Sequence, residues 1–104
     1  MSIFVESLRE DLDRVHRNIE AYQRRISELP KGSLMVRHIS GHDYIYLKYR
    51  IKDKVIQKYV STFTQERYDM LMEEIEQRNQ FQQELRLLIQ EEKDMKRALK
   101  SLGG

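Results

Sequence analysis

The chain of 104 residues is about one domain long, and its 39% hydrophobic and 35% charged residues are typical of an elongated protein with a small core. It contains no cysteine, which excludes disulfide frameworks, thiolate zinc sites and cysteine nucleophiles. The apolar runs are short, and the amino terminus lacks the basic and apolar regions of a signal peptide. We therefore expect a single domain over residues 1–104, no membrane span and a cytoplasmic location.

Residues 1–30 predict a first helix. Ser2 is a candidate amino-terminal cap, and Pro30 with Gly32 predicts an end near Leu29. Apolar side chains recur at alternating spacings of three and four, which is the seam of a coiled coil. These are Val5, Leu8, Leu12, Val15, Ile19, Tyr22, Ile26 and Leu29.

Residues 31–62 change to a period of two with β-branched and aromatic enrichment, which predicts three strands. The strands are expected at about 33–39, 43–50 and 54–60, with turns at Ser40-Gly41-His42 and Lys52-Asp53. Antiparallel pairing then divides the side chains between two faces. The expected core face has Leu34, Val36, Ile45, Leu47, Tyr49, Ile56 and Val60. The expected solvent face has Met35, Arg37, Ile39, Tyr44, Tyr46, Lys48, Arg50, Val55, Gln57 and Tyr59.

Residues 63–102 predict a second, longer helix. Thr62 or Thr64 is expected to cap its start, and Gly103 suits a left-handed carboxyl-terminal cap. Its seam carries Glu92 as a polar interruption, and Arg78 with Gln82 breaks the apolar pattern further upstream. We also expect His16 to be a hydrated residue beside the first seam.

Together these elements predict an α+β protein in which an antiparallel coiled-coil hairpin of two long helices carries a three-stranded antiparallel sheet at its tip. At about 1.5 Å per residue, the second helix is too long for the first to cover it alone. The unmatched length favours a homodimer, in which the second helices pair between chains, and the alternative is a two-helix monomer whose second helix frays at its end. The residues predicted for this dimer or partner surface are Phe81, Leu85, Leu88, Met95 and Leu99.

The segment from Lys31 to Leu88 carries a recognisable series of motifs. They are Lys31-Gly32-Ser33-Leu34, Tyr44-Ile45-Tyr46-Leu47-Lys48-Tyr49-Arg50, Lys54, Lys58-Tyr59-Val60 and Ile75-Glu76-Gln77-Arg78. This series resembles an uncharacterised prokaryotic family similar to small proteins of phages and other mobile elements. Those relatives commonly have a cysteine cluster between the first two strands, where this chain has Ile39-Ser40-Gly41-His42-Asp43. The resemblance therefore implies no metal site here.

Net positive charge is concentrated in the predicted sheet. Residues 31–60 have seven basic and two acidic side chains, a balance of +5, whereas the whole chain carries +2. Tyrosine rings stack on bases, and Lys and Arg neutralise phosphates. We therefore expect a small non-enzymatic protein that binds DNA or RNA through the solvent face of the sheet. The predicted binding residues are Arg37, Tyr44, Tyr46, Lys48, Arg50, Lys54 and Tyr59.

Two alternatives remain open at the level of sequence. The long helices could instead dock a partner protein, which would make the chain a protein-interaction adaptor or inhibitor. Alternatively, neither feature has a binding function: the basic sheet face is simply solvated, and the helices only associate with each other. An enzyme is not expected, because His38, His42 and Asp43 lack further ligands for a metal and no phosphate loop or nucleophile motif occurs. No cofactor is expected either.

Overall fold

The computed structural model describes residues 3–103 and confirms the α+β class. In chain order it contains helix α1 (Ile3–Glu28), strands β1 (Ser33–Ile39), β2 (His42–Ile51) and β3 (Lys54–Thr62), and helix α2 (Gln65–Ser101). The expected cap at Ser2 lies outside the described residues. Among those residues, neither helix combines the length and apolar character needed to cross a membrane.

The three strands form one antiparallel sheet in the order β1-β2-β3. The first turn contains only Ser40 and Gly41, whose φ angles are 51° and 82°. His42 therefore belongs to β2, and the prediction of a three-residue turn is wrong. Two positive φ angles let a two-residue turn follow the right-handed twist of the strands. The second turn is Lys52-Asp53 as expected, with φ of 54° at Lys52.

A bulge in β3 modifies the predicted register. Tyr46 pairs with Tyr59, and Ile45 pairs with Ser61, so Val60 is the additional residue on β3. The extra residue reverses the alternation of side chains beyond it, while the predicted partition holds from Lys54 to Tyr59. On the core face Ile45 is fully buried.

The sheet and the first part of α2 belong to one compact unit, Glu28–Asn79. Its buried residues are Ile45, Leu47 and Ile75, so apolar side chains from β2 and α2 supply the core of this unit. Thr64 caps α2 as expected, because its Oγ1 accepts a hydrogen bond from the amide of Arg67 at 3.1 Å.

The second compact unit contains α1 up to Ser27 and α2 from Gln80 onward. Within residues 3–103, the buried side chains of this unit are three predicted seam residues of α1, Val15, Ile19 and Ile26.

Two side-chain contacts join α1 to the part of α2 that belongs to this unit. The ring of Tyr22 lies 5.4 Å from that of Phe81, and His16 lies 3.1 Å from Glu92. From His16 to Tyr22 on α1, the contacted residues of α2 therefore go back from Glu92 to Phe81. The antiparallel coiled-coil geometry of the helix pair stays a prediction.

The length of α2 has a simple origin in these two units. Helix α2 has 37 residues and α1 has 26. Residues 65–79 of α2 belong to the unit that contains the sheet, and only the remainder belongs to the unit that contains α1. The part of α2 that exceeds the length of α1 therefore lies in the unit that contains the sheet.

Candidate nucleic-acid interface

One face of the sheet collects the aromatic and basic residues that the sequence placed on its solvent side. Strand register and alternation define this surface, which we call the tyrosine face. It consists of Ser33, Met35, Arg37 and Ile39 from β1, His42, Tyr44, Tyr46, Lys48 and Arg50 from β2, and Val55, Gln57, Tyr59 and Thr62 from β3.

Three tyrosine rings form a cluster on the tyrosine face. The ring of Tyr59 lies 6.1 Å from that of Tyr44 and 5.8 Å from that of Tyr46, with planes 75° apart in the second pair. Edge-to-face contacts of this kind are favourable and hold the rings in place. Tyr59 is 52% exposed, whereas Tyr44 and Tyr46 are half-buried, so Tyr59 is the ring most open to a ligand.

Arg37 reaches across the tyrosine face from one edge strand to the other. Its Nη1 donates a hydrogen bond to Oε1 of Gln57 at 3.2 Å, and its Cζ lies 5.2 Å from the centre of the Tyr46 ring. The guanidinium is therefore oriented by a hydrogen bond and by a cation–π contact. It remains exposed and retains other N–H donors for a phosphate.

All of the fixed charges on the tyrosine face are positive. Its cations are Arg37, Lys48 and Arg50, all of them exposed, and it carries no acidic side chain. Lys48 and Arg50 lie towards the carboxyl end of β2. At the other end of β2, the His42 ring lies 6.5 Å from that of Tyr44.

Lys54 is the predicted binding residue that does not share the tyrosine face. It pairs with Ile51, and alternation along β3 places it on the opposite side from Val55, Gln57 and Tyr59. The other predicted binding residues are all on the tyrosine face. Sequence reasoning missed His42 and the partner role of Gln57, because the short first turn and the cross-strand contact of Arg37 became visible only in the register.

The three residues considered as metal ligands, His38, His42 and Asp43, do not lie together. His38 and Asp43 are register partners with Nδ1 and Oδ1 2.6 Å apart, whereas His42 pairs with Ile39 on the other face. Over residues 3–103, no group of three or more His, Cys, Asp or Glu side chains could hold a metal ion. The absence of enzymatic activity stays a prediction.

The residues predicted for a dimer or partner surface are half-buried along α2. They are Phe81, Leu85, Leu88, Met95 and Leu99. Phe81 contacts its own chain, since the guanidinium carbon of Arg25 also lies 5.4 Å from its ring centre. The homodimer stays a prediction, and light scattering tests it against the monomer mass of 12.7 kDa.

The chain matches no protein-family model, no curated protein and no solved structure. The resemblance to a mobile-element family stays a prediction.

Proposed function

We propose that this protein binds nucleic acid through the tyrosine face. The observation that supports the proposal best is the composition of that face, where a cluster of three tyrosines lies among three exposed cations without any carboxylate. We also propose, as the sequence predicts, that the protein is related to proteins of phages or other mobile elements and that it is cytoplasmic.

The two kinds of side chain would act on different parts of a nucleic acid. Arg37, Lys48 and Arg50 would neutralise phosphates and release counterions, so the affinity should fall as salt rises. The tyrosine rings would contact bases, which adds a contribution that salt affects less. The preformed contacts of Arg37 with Gln57 and Tyr46 reduce the entropy lost when that side chain binds.

Fluorescence anisotropy of labelled DNA and RNA, titrated at two salt concentrations, tests the proposal. The double variant Lys48→Glu with Arg50→Glu should lose binding and keep its helical circular dichroism. A matched control, Lys93→Glu with Lys100→Glu, makes the same change in net charge at exposed positions of α2 and should bind like the unmodified protein. Equal loss in both variants, or no binding by the unmodified protein at low salt, would contradict the proposal.

The alternative prediction, a protein-interaction adaptor or inhibitor, has less support in the geometry. The apolar residues expected to capture a partner are half-buried, and Leu87, at 66% exposure, is surrounded in sequence by polar or half-buried positions of α2. A pull-down that depends on exposed residues between positions 78 and 100 would favour this alternative.

A further inference from the structure

We infer that the tyrosine face accepts an unpaired nucleic-acid strand rather than a duplex, with bases against the tyrosine cluster and one phosphate backbone along Lys48 and Arg50. This inference rests on the proposed function and deepens it. Two features of the tyrosine face lead to it: the aromatic side chains at its centre and the position of Lys48 and Arg50 at one end of β2.

The centre of the tyrosine face offers aromatic rings. Tyr59 is the most exposed of them, and the rings of its neighbours Tyr44 and Tyr46 lie 6.1 and 5.8 Å away between ring centres. Aromatic rings of this kind stack on bases of any sequence. A ring stacks only on a base whose own face is open. In a duplex those faces are covered by neighbouring base pairs, and the grooves present base edges instead.

The side chains suited to base edges are partly occupied by each other. Arg and Gln are the residue types that read guanine and adenine in a major groove. Here Nη1 of Arg37 donates to Oε1 of Gln57 at 3.2 Å, so one donor and the amide oxygen needed for such readout are already paired. The centre of the face therefore favours stacking over edge recognition.

The charge of the tyrosine face fits one backbone. A major groove about 12 Å wide has a phosphate strand on each side, so a sheet inserted there benefits from cations at both of its ends. Lys48 and Arg50 supply them at one end of β2. The cations nearest the other end already have partners. Arg37, opposite Tyr44, donates a hydrogen bond to Gln57. Nη1 of Arg67 donates to Oγ1 of Thr62 at 3.4 Å. A single strand can keep its phosphates at the Lys48 and Arg50 end, where both cations are exposed.

The first arm of the test compares three probes of one mixed sequence: a fluorescein-labelled single-stranded DNA 12-mer, the same strand annealed to its complement, and the RNA 12-mer. At one salt concentration, we expect the single strands to bind at least about tenfold more tightly than the duplex. The two single-stranded arms distinguish DNA from RNA as the source of the strand.

The second arm removes one stacking ring and restores it. Tyr59→Leu should weaken single-strand binding roughly five- to 150-fold, which corresponds to the loss of one stacked base. Tyr59→Phe retains the ring and should bind like the unmodified protein. The exposure of Tyr59 makes both variants compatible with folding.

The outcomes separate the inference from the proposed function. Duplex binding as tight as single-strand binding, or unchanged binding by Tyr59→Leu, would overturn the inference and leave nucleic-acid binding intact. No binding of any probe at low salt would overturn the proposed function and the inference with it.

Discussion

His16 on α1 and Glu92 on α2 contact each other with Nδ1 and Oε2 3.1 Å apart, although 76 positions separate them in the chain. The Nε2 atom of the same ring lies 3.0 Å from Oε1 of Glu20, and Nζ of Lys96 lies 3.6 Å from Oε1 of Glu92. A neutral imidazole has one N–H, whereas donation to both carboxylates requires the imidazolium. The polar interruption of the second seam thus has a partner, and His16 is exposed but not merely hydrated.

This contact predicts that stability depends on pH. The hydrogen bond that His16 donates to Glu92, followed by the charge of Glu20, raises the pKa of His16 above 6.5, and the same bond lowers the pKa of Glu92 below 4.5. The contribution of His16 is complete below pH 6.5 and is lost as pH rises through its raised pKa. The contribution of Glu92 is present above pH 4.5 and is lost as pH falls through its lowered pKa.

The measurement is thermal unfolding of the unmodified protein and of His16→Gln across this range. The difference in Tm should be greatest between pH 4.5 and 6.5 and should shrink at higher pH. A difference that is constant from pH 5 to 9 would show that the imidazolium does not stabilise the pairing.

Gly32 should tolerate substitution far less well than Gly41. Both have positive φ angles, of 101° and 82°. A Cβ at Gly32 would lie 2.3 Å from the carbonyl oxygen of Lys48, whereas one at Gly41 would meet nothing within 4 Å. Gly41→Ala should therefore cost only the backbone strain, about 1–2 kcal/mol, and Gly32→Ala should cost clearly more. Urea unfolding of the two variants compares the costs, and equal losses would contradict the close approach.

The sheet should depend on Ile45. Its side chain is fully buried, whereas Ile51 on the same strand is 44% exposed. Ile45→Ala should lower the free energy of unfolding by about 2–5 kcal/mol, because it removes apolar contacts and leaves a cavity. Ile51→Ala should lower it by less than about 1 kcal/mol. Chemical denaturation followed by circular dichroism measures both values, and similar losses would mean that the buried role of Ile45 is wrong.

Arg78 should be replaceable with a gain in stability. Within residues 3–103, its Nε is the buried side-chain nitrogen without a hydrogen-bond partner. An unsatisfied buried donor costs about 1–3 kcal/mol, so Arg78→Met should raise the free energy of unfolding by roughly 1 kcal/mol. The exposed Arg86 gives a matched control, since Arg86→Met should change stability by no more than about 0.5 kcal/mol. Lower stability of Arg78→Met than of Arg86→Met in urea would contradict this expectation.

Much of the tyrosine face could be predicted from alternation along each strand. Tyr44, Tyr46, Lys48 and Arg50 share a face because side chains in a strand point to opposite sides in turn. The place of Lys54 on the other face follows from the same rule. Charge alone predicts Lys54 as a binding residue, and alternation along β3 does not support that prediction.

Other parts of the site required the pairing of strands. The contact of Arg37 with Gln57 joins β1 to β3 across β2, and the bulge at Val60 sets which residue pairs with Ile45. Alternation within one strand carries no information about either feature, since both depend on how neighbouring strands are aligned.

The local pattern of residues was enough to predict the helices and strands and the buried side of α1. Val15, Ile19 and Ile26 are buried on α1 where the spacing of three and four places them, because the helical period is a property of the local backbone. Which elements cover each other could not be read from that pattern. His16 meets Glu92, and the first part of α2 joins the sheet, because contacts between residues far apart in sequence depend on the packing of whole elements.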